Sequence, residues 1–213
     1  MARAEGFKKN PKWARDPDAW YVEEQWCADR LFEDEDFPGR TVDPCAGGGN
    51  IVRAGQKAGR QVEGYDLRDR APGLVQGGFD FFDRLSYTPG IWPADNIVSN
   101  PPYATWTQIG RETPKGAMAR VEDEFVAQAL DRIRCKLAVF LPAGWINSDE
   151  RSKWLEGFPL YRVYICTPRP SCPPGTYLAA GGKPKDGQSD FNWYVFLRGY
   201  QGHPEVRWLR RDD

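Results

Sequence analysis

Apolar and polar positions alternate along this chain with two periods. Residues 121–133, "VEDEFVAQALDRI", carry apolar side chains three and four apart and predict an amphipathic helix. Residues 19–32, "AWYVEEQWCADRLF", set apolar Trp20, Val22, Trp26 and Leu31 among polar residues and predict a second helix. "NIVRAGQKAG" predicts a third, closed by Gly59, and "DERSKWLEGF" a fourth. Short apolar runs lie between them. "GRTVD", "RQVEGYDL", "DNIVS", "KLAVFLP", "YRVYICT", "DFNWYVFLRG" and "EVRWL" predict strands, and a further short one is expected before "FDFFD". Strands that alternate with helices predict a mostly parallel α/β sheet with helices on both faces. The last two strands have no helix between them and predict an antiparallel pair at one edge. Residues 1–17 are polar and irregular and predict a flexible arm, leaving 18–213 as one domain. Residues 167–189, rich in Pro, Gly and Lys, read as a long loop of the kind that carries function or moves.

Composition narrows the class. A chain of 213 residues, 40% apolar and 28% charged, suits a single soluble domain. It has no long apolar run and no signal-peptide pattern, so a cytoplasmic protein that does not enter a membrane is expected. Cys27, Cys45, Cys135, Cys166 and Cys172 form no CxxC pair, and His203 is the one histidine. That set makes a poor zinc site and no His-based triad, so no metal is expected. A net charge of −1 excludes a uniformly basic nucleic-acid binder, yet the charge is uneven. Residues 16–36 hold nine acids against Arg30, while the stretches 104–120 and 151–170 are basic.

The chemistry starts at "DPCAGGGN", residues 43–50, between a predicted strand and a predicted helix. Glycines at such a turn let a nucleotide-like cofactor approach the backbone. The dinucleotide pattern fails because Val52 stands where its third glycine belongs, and the phosphate-loop Lys-Ser/Thr is missing. Asp43 before the turn would repel a pyrophosphate but pair with an ammonium group. Asp66, ending the next strand, is placed to accept from both ribose hydroxyls. An acid for an amine and an acid for a ribose describe S-adenosylmethionine better than NAD.

"DPCAGGGN", "GYDLRDR", "FDFFD" and "NPPY", in that order, resemble the cofactor and catalytic motifs of class I S-adenosylmethionine-dependent DNA adenine-N6 methyltransferases. The wider frame, about residues 18–210, resembles small phage- and prophage-type members. The resemblance implies a single Rossmann-like domain with a mostly parallel seven-stranded sheet and an antiparallel edge strand. It also implies that Asp43, Pro44, Ala46 and Gly47 line the methionine end of the cofactor, with Cys45 as further lining. Asp66 and Leu67 would hold the ribose and flank the adenine ring. Asp80 would accept from the cofactor adenine amine, and Phe81 would pack on that ring. Tyr21 and Glu23 match the N-terminal motif that closes over the methionine part, although Glu-Glu stands where members often have Thr-Pro or Glu-Pro.

The "NPPY" corner supplies the rest. An exocyclic adenine amine is a poor nucleophile, because its lone pair is spread into the ring. The side-chain carbonyl of Asn100 and the backbone carbonyl of Pro101 offer two acceptors for its two hydrogens. Pro101 and Pro102 fix that geometry before substrate arrives. Tyr103 would stack on a base flipped from the duplex. Asn100 is also expected to border the cofactor.

Target recognition is expected from two loops. Trp106, Arg111 and Lys115 lie in one, Arg169 and Lys183 in the other. The motif order resembles the gamma arrangement without its usual large recognition domain. The expected partner is DNA. RNA amines, the glutamine amide of release factors, and a non-catalytic nucleic-acid-binding protein of the same fold are the alternatives. The sequence carries no statement of oligomeric state.

Overall fold

The computed structural model describes residues 16–83, 90–184, 187 and 189–212. Of the arm expected at 1–17, residues 1–15 lie outside the described residues. Asp16 is buried and already belongs to the packed body, where its carboxylate accepts from Trp20 N (3.2 Å) and Thr176 Oγ1 (2.8 Å).

Eight strands form one sheet: β1 (Thr41–Asp43), β2 (Val62–Tyr65), β3 (Val75–Gln76), β4 (Ala94–Ser99), β5 (Ile133–Pro142), β6 (Leu160–Thr167), β7 (Phe191–Leu197) and β8 (Glu205–Arg210). Their order across the sheet is β3-β2-β1-β4-β5-β7-β6-β8. All neighbours are parallel except where β7 runs antiparallel between β5 and β6. The α/β class and the mostly parallel sheet are as expected, with eight strands in place of seven. The last two strands do not pair with each other. Both flank β6, and β8 extends the sheet beside it. Charge holds β8 there: Arg162 on β6 reaches Glu205 (2.8 Å) and Glu35 (2.7 Å), and Arg207 reaches Asp34 (3.0 Å).

The helices are α1 (Gln25–Asp34), α2 (Asn50–Lys57), α3 (Val121–Arg132), α4 (Asp149–Leu155) and a short α5 (Gly175–Ala179) inside the stretch expected to be all loop. The helix expected from residue 19 begins only at Gln25. Trp20, Tyr21 and Val22 are extended and lie along residues 173–175, with Val22 N donating to Pro173 O (2.9 Å) and Gly175 N to Trp20 O (2.7 Å). Their apolar spacing serves that contact, not a helix face.

Alternation along the central strands divides the core. Phe140, Trp193 and Val195 face the side covered by α1 and α2. Leu137, Val139, Leu141, Tyr194 and Phe196 face the side covered by α3. With both faces covered, the strands read as continuous apolar runs. The chain leaves β1 toward β2 and β3, then crosses back to β4. In such sheets a crevice opens beyond the carboxyl ends of the strands where the order reverses, here β1 and β4. Asp43 is the last residue of β1, and Asn100 is the first after β4. Among the described residues no helix is long and apolar enough to cross a membrane, and no cluster of metal-binding side chains is found.

Candidate active site

Asp43 ends β1 almost fully buried, 1% exposed. Its Oδ1 accepts from Ser99 Oγ (2.8 Å) and Cys45 N (3.2 Å), while Oδ2 has no partner. Burial pushes this carboxyl well above the ordinary range, and the neighbouring acids Glu23 and Asp66 add to the rise. The glycine turn follows. Gly47 has a φ of +50°, and a Cβ there would stand 2.6 Å from Trp20 Nε1. Its N–H donates to Asp66 Oδ2 (2.9 Å), tying the turn to the end of β2.

Asp66 is not a vacant acceptor. Its Oδ1 accepts from Arg68 N (2.9 Å) and from the Arg70 guanidinium. Arg70 also reaches Asp18 (2.7 Å) and lies 4.5 Å from the centre of the Trp20 ring. Trp20 is wedged between the turn and the opposite wall: a Cβ on Gly175 would fall 2.0–2.3 Å from its ring atoms. Gly175→Ala is therefore expected to push Trp20 out of place, costing roughly 1–3 kcal/mol of stability and loosening the cleft wall. Thermal unfolding together with Trp fluorescence checks this, and an unchanged melting temperature would contradict it.

Asn100 sits at the other strand end. Its Nδ2 donates to Tyr21 O (2.9 Å) and Glu23 Oε2 (2.6 Å), and its Oδ1 accepts from the Tyr103 hydroxyl. That hydroxyl also lies 2.6 Å from Phe140 O, so Tyr103 points its polar end inward. Its ring packs against Phe191 (5.8 Å) and Tyr21 (6.3 Å). Burial pushes the Tyr103 phenol well up and raises Glu23, 6% exposed, from 4.5 to about 7.

These groups line one cleft of about 930 Å³, its mouth included. The volume suits a nucleoside-sized ligand. Tyr21, Glu23, Asp43, Pro44, Cys45, Ala46, Gly47, Asp66, Leu67, Asp80, Phe81 and Asn100 all line it, as does Pro102. Pro101 and Tyr103 are not part of that lining. Five carboxylates (Asp18, Glu23, Asp43, Asp66, Asp80) face two guanidiniums, Arg70 and Arg111. An excess of acids suits a cationic ligand.

The residues expected to read the target divide. Trp106 is 1% exposed and forms part of the core: its Nε1 donates to Met118 O (2.7 Å) and its ring packs on Phe82. Trp106 therefore stands in the core and not in the lining of the cleft. Arg111 turns into the cleft and pairs with Asp80 (2.9 Å). Lys115 and Lys183 are exposed and stand apart from the cleft lining, and exposed Arg169 pairs with Asp190 (2.6 Å). Asp18, Trp20, Arg70 and Ile109 line the cleft unforeseen. Only Arg70 carries a local sign, standing four residues after Asp66 as a possible charge partner.

The sheet order and the crevice at β1 and β4 define the fold of class I S-adenosylmethionine-dependent methyltransferases. No protein-family model and no curated protein matches the sequence. Among solved structures, the chain is similar to a Listeria monocytogenes protein provisionally classed as a class I S-adenosylmethionine-dependent methyltransferase, with a TM-score of 0.52, 11% identity and 89% of this chain covered. It is similar to the type I restriction-modification system methyltransferase subunit from Streptococcus thermophilus, with a TM-score of 0.56, 15% identity and 89% covered. The M protein of the type I restriction enzyme EcoKI gives a TM-score of 0.57 at 14% identity, with 91% covered. The chain spans 63%, 45% and 49% of these three proteins' own lengths.

Proposed function

We propose that this chain is an S-adenosylmethionine-dependent methyltransferase acting on the exocyclic N6 amine of adenine in DNA, with the target base flipped from the duplex. One observation carries the reading. An amide with a directed carbonyl, Asn100, and a buried acid with an unpartnered oxygen, Asp43, open into the same cleft from neighbouring parallel strands.

The residues present fit the cofactor. Asp43 Oδ2 would hold the ammonium group, which supplies the partner that this buried oxygen lacks. Pro44, Cys45, Ala46 and Gly47 would border the methionine part, together with Tyr21 and Glu23. Asp66 would accept from the ribose hydroxyls once Arg70 withdraws toward Asp18. Asp80 would take the adenine amine in place of Arg111, beside Phe81 and Leu67. Bound there, S-adenosylmethionine supplies a methyl group activated on a positively charged sulfur.

The chain's own work is positioning. Asn100 Oδ1 and the carbonyl of Pro101 would accept the two hydrogens of the target amine, drawing its lone pair out of the ring. The Tyr103 hydroxyl must then release Asn100 and keep its bond to the Phe140 carbonyl, and its ring would meet the base. Once that hydroxyl has turned away, dipoles held in this way need no further reorganisation when charge shifts. Similarity to methyltransferase subunits of restriction systems supports DNA as the substrate, and a DNA complex is among the similar structures, DrdV with DNA, at 13% identity and a TM-score of 0.53.

The test is transfer of labelled methyl from S-adenosylmethionine to unmethylated DNA, total RNA and a protein extract in parallel. Label recovered as N6-methyladenine in DNA is expected. Label found only in RNA or protein would overturn the substrate while leaving the cofactor, and no label anywhere would overturn the activity.

A further inference from the structure

Asn100 can act as an acceptor only if its amide faces one way. A side-chain amide has two nearly isosteric ends, and hydrogen-bonding partners decide which end points where. The neighbours here are unequal. One end of the amide meets Tyr21 O at 2.9 Å and Glu23 Oε2 at 2.6 Å. A backbone carbonyl and an ionised carboxylate can only accept. The other end meets the Tyr103 hydroxyl, which can donate. Reversing the amide would set its oxygen against two acceptors and lose both bonds.

Glu23 is well held for this task. It stands on the extended segment that runs along residues 173–175, and its backbone carbonyl accepts from Asn50 Nδ2 at the start of α2 (2.9 Å). An acid beside a helix start is ordinarily exposed and interacts with the helix dipole. Glu23 is instead buried and turned across to the end of β4, 77 residues along the chain.

We propose that Glu23 is a positioning residue: its carboxyl holds the Asn100 amide in the one orientation that presents Oδ1 as an acceptor toward the substrate. The consequence for methyl transfer rests on the function proposed above. The hold itself does not.

The groups that face Glu23 determine how the contact responds to pH. Asp43 on β1 is a second buried acid with its own pKa pushed up, and Arg53 on α2 adds positive charge. Cys27 on α1, Cys172 in the 171–174 segment and Tyr103 beyond β4 complete the surroundings, their own pKa values all pushed up. Burial outweighs Arg53, so Glu23 ionises near neutrality. The ionised carboxylate makes a stronger, charge-assisted bond to Nδ2 and polarises the amide further. The hold on Asn100 therefore tightens as pH rises.

The test uses the full chain labelled with 15N. The Asn100 side-chain NH2 pair, assigned by its loss in Asn100→Ala, is followed from about pH 5 to about pH 9 without ligand. It is expected to shift with a midpoint near the Glu23 value of about 7. The shift should vanish in Glu23→Gln and persist in Glu24→Gln. At saturating cofactor, kcat on DNA should rise through the same window in the wild type. In Glu23→Gln it should be pH-independent and about tenfold lower above that window, with KM for DNA little changed. A wild-type Asn100 amide that does not titrate overturns the proposal, whether or not the variant folds. So does a pH limb that survives in Glu23→Gln. A wild type that transfers no methyl to DNA while its Asn100 resonance still follows Glu23 overturns the substrate reading and upholds the hold on the amide.

Discussion

Asn100→Ala should lower methyl transfer by about 10²–10³-fold or more while S-adenosylhomocysteine still binds. Three features of the site lead to this. Asn100 Oδ1 is the side-chain carbonyl acceptor at the corner after β4, and its direction is set by Tyr21 and Glu23 on one extended segment and by the Tyr103 hydroxyl of the same corner. Alanine removes it without moving the corner, because Pro101 and Pro102 keep their restricted φ and the Tyr103 hydroxyl keeps the Phe140 carbonyl. The cofactor-side groups, Asp43, Gly47 and Asp66, are held by Ser99, Cys45 and one another and do not depend on Asn100. Single-turnover transfer and calorimetric binding, run on the same preparation, separate the two effects. A loss of binding as large as the loss of transfer would mean that Asn100 acts by holding the cofactor, and the positioning argument would fail.

The second large effect is expected at Asp43, with opposite signs for stability and binding. The folded protein holds the Asp43 carboxyl protonated to a pH above its ordinary value of 3.8. Over the window upward from that value the folded state therefore binds more protons than the unfolded chain. Stability contributed by this group is present below 3.8 and is lost as pH rises through the folded pKa. Asparagine carries no charge to bury. Asp43→Asn should melt higher than the wild type near pH 8 and close to it near about pH 4. The amide has an oxygen to accept from Ser99 Oγ and Cys45 N, which leaves its NH2 in the place of the buried, unpartnered Oδ2. An NH2 facing an ammonium repels it, and the lost charged contact should weaken S-adenosylmethionine binding by roughly 10²-fold or more. Differential scanning calorimetry at both pH values and titration with cofactor read the two signs. A variant that is more stable yet binds as tightly would remove Asp43 from the cofactor site.

The strands, the turn after β1 and the corner after β4 follow from local chemistry, which is why the sequence alone places them. Alternation along "KLAVFLP" and "DFNWYVFLRG" needs no knowledge of the partner strands, and two consecutive prolines cannot continue a central strand whatever surrounds them. The same holds for the glycine turn, where the positive φ of Gly47 and Gly49 is a property of single residues. The family resemblance carried by those motifs, added to this local chemistry, named twelve residues that share one cleft.

Contacts between residues far apart in the chain were settled only by the fold. Val22 stands four residues before Trp26, a helical spacing, yet Trp20 and Val22 are extended because residues 173–175 offer them backbone partners. Trp106 sits in a polar, basic stretch that reads as a solvated loop. The buried carboxylates of Glu122 and Glu124 on α3 accept from Ala104 N (3.2 Å) and Met118 N (2.9 Å), and so fold that stretch onto the core. Arg70 reaches Asp18 across 52 residues, and Asn100 reaches Glu23 across 77. Periodicity and turn chemistry act over a few residues, whereas an ion pair or a buried hydrogen bond depends on proximity that the sheet order alone creates. The sequence could therefore name Asn100 as an acceptor, but only the tertiary structure shows which neighbours fix its amide.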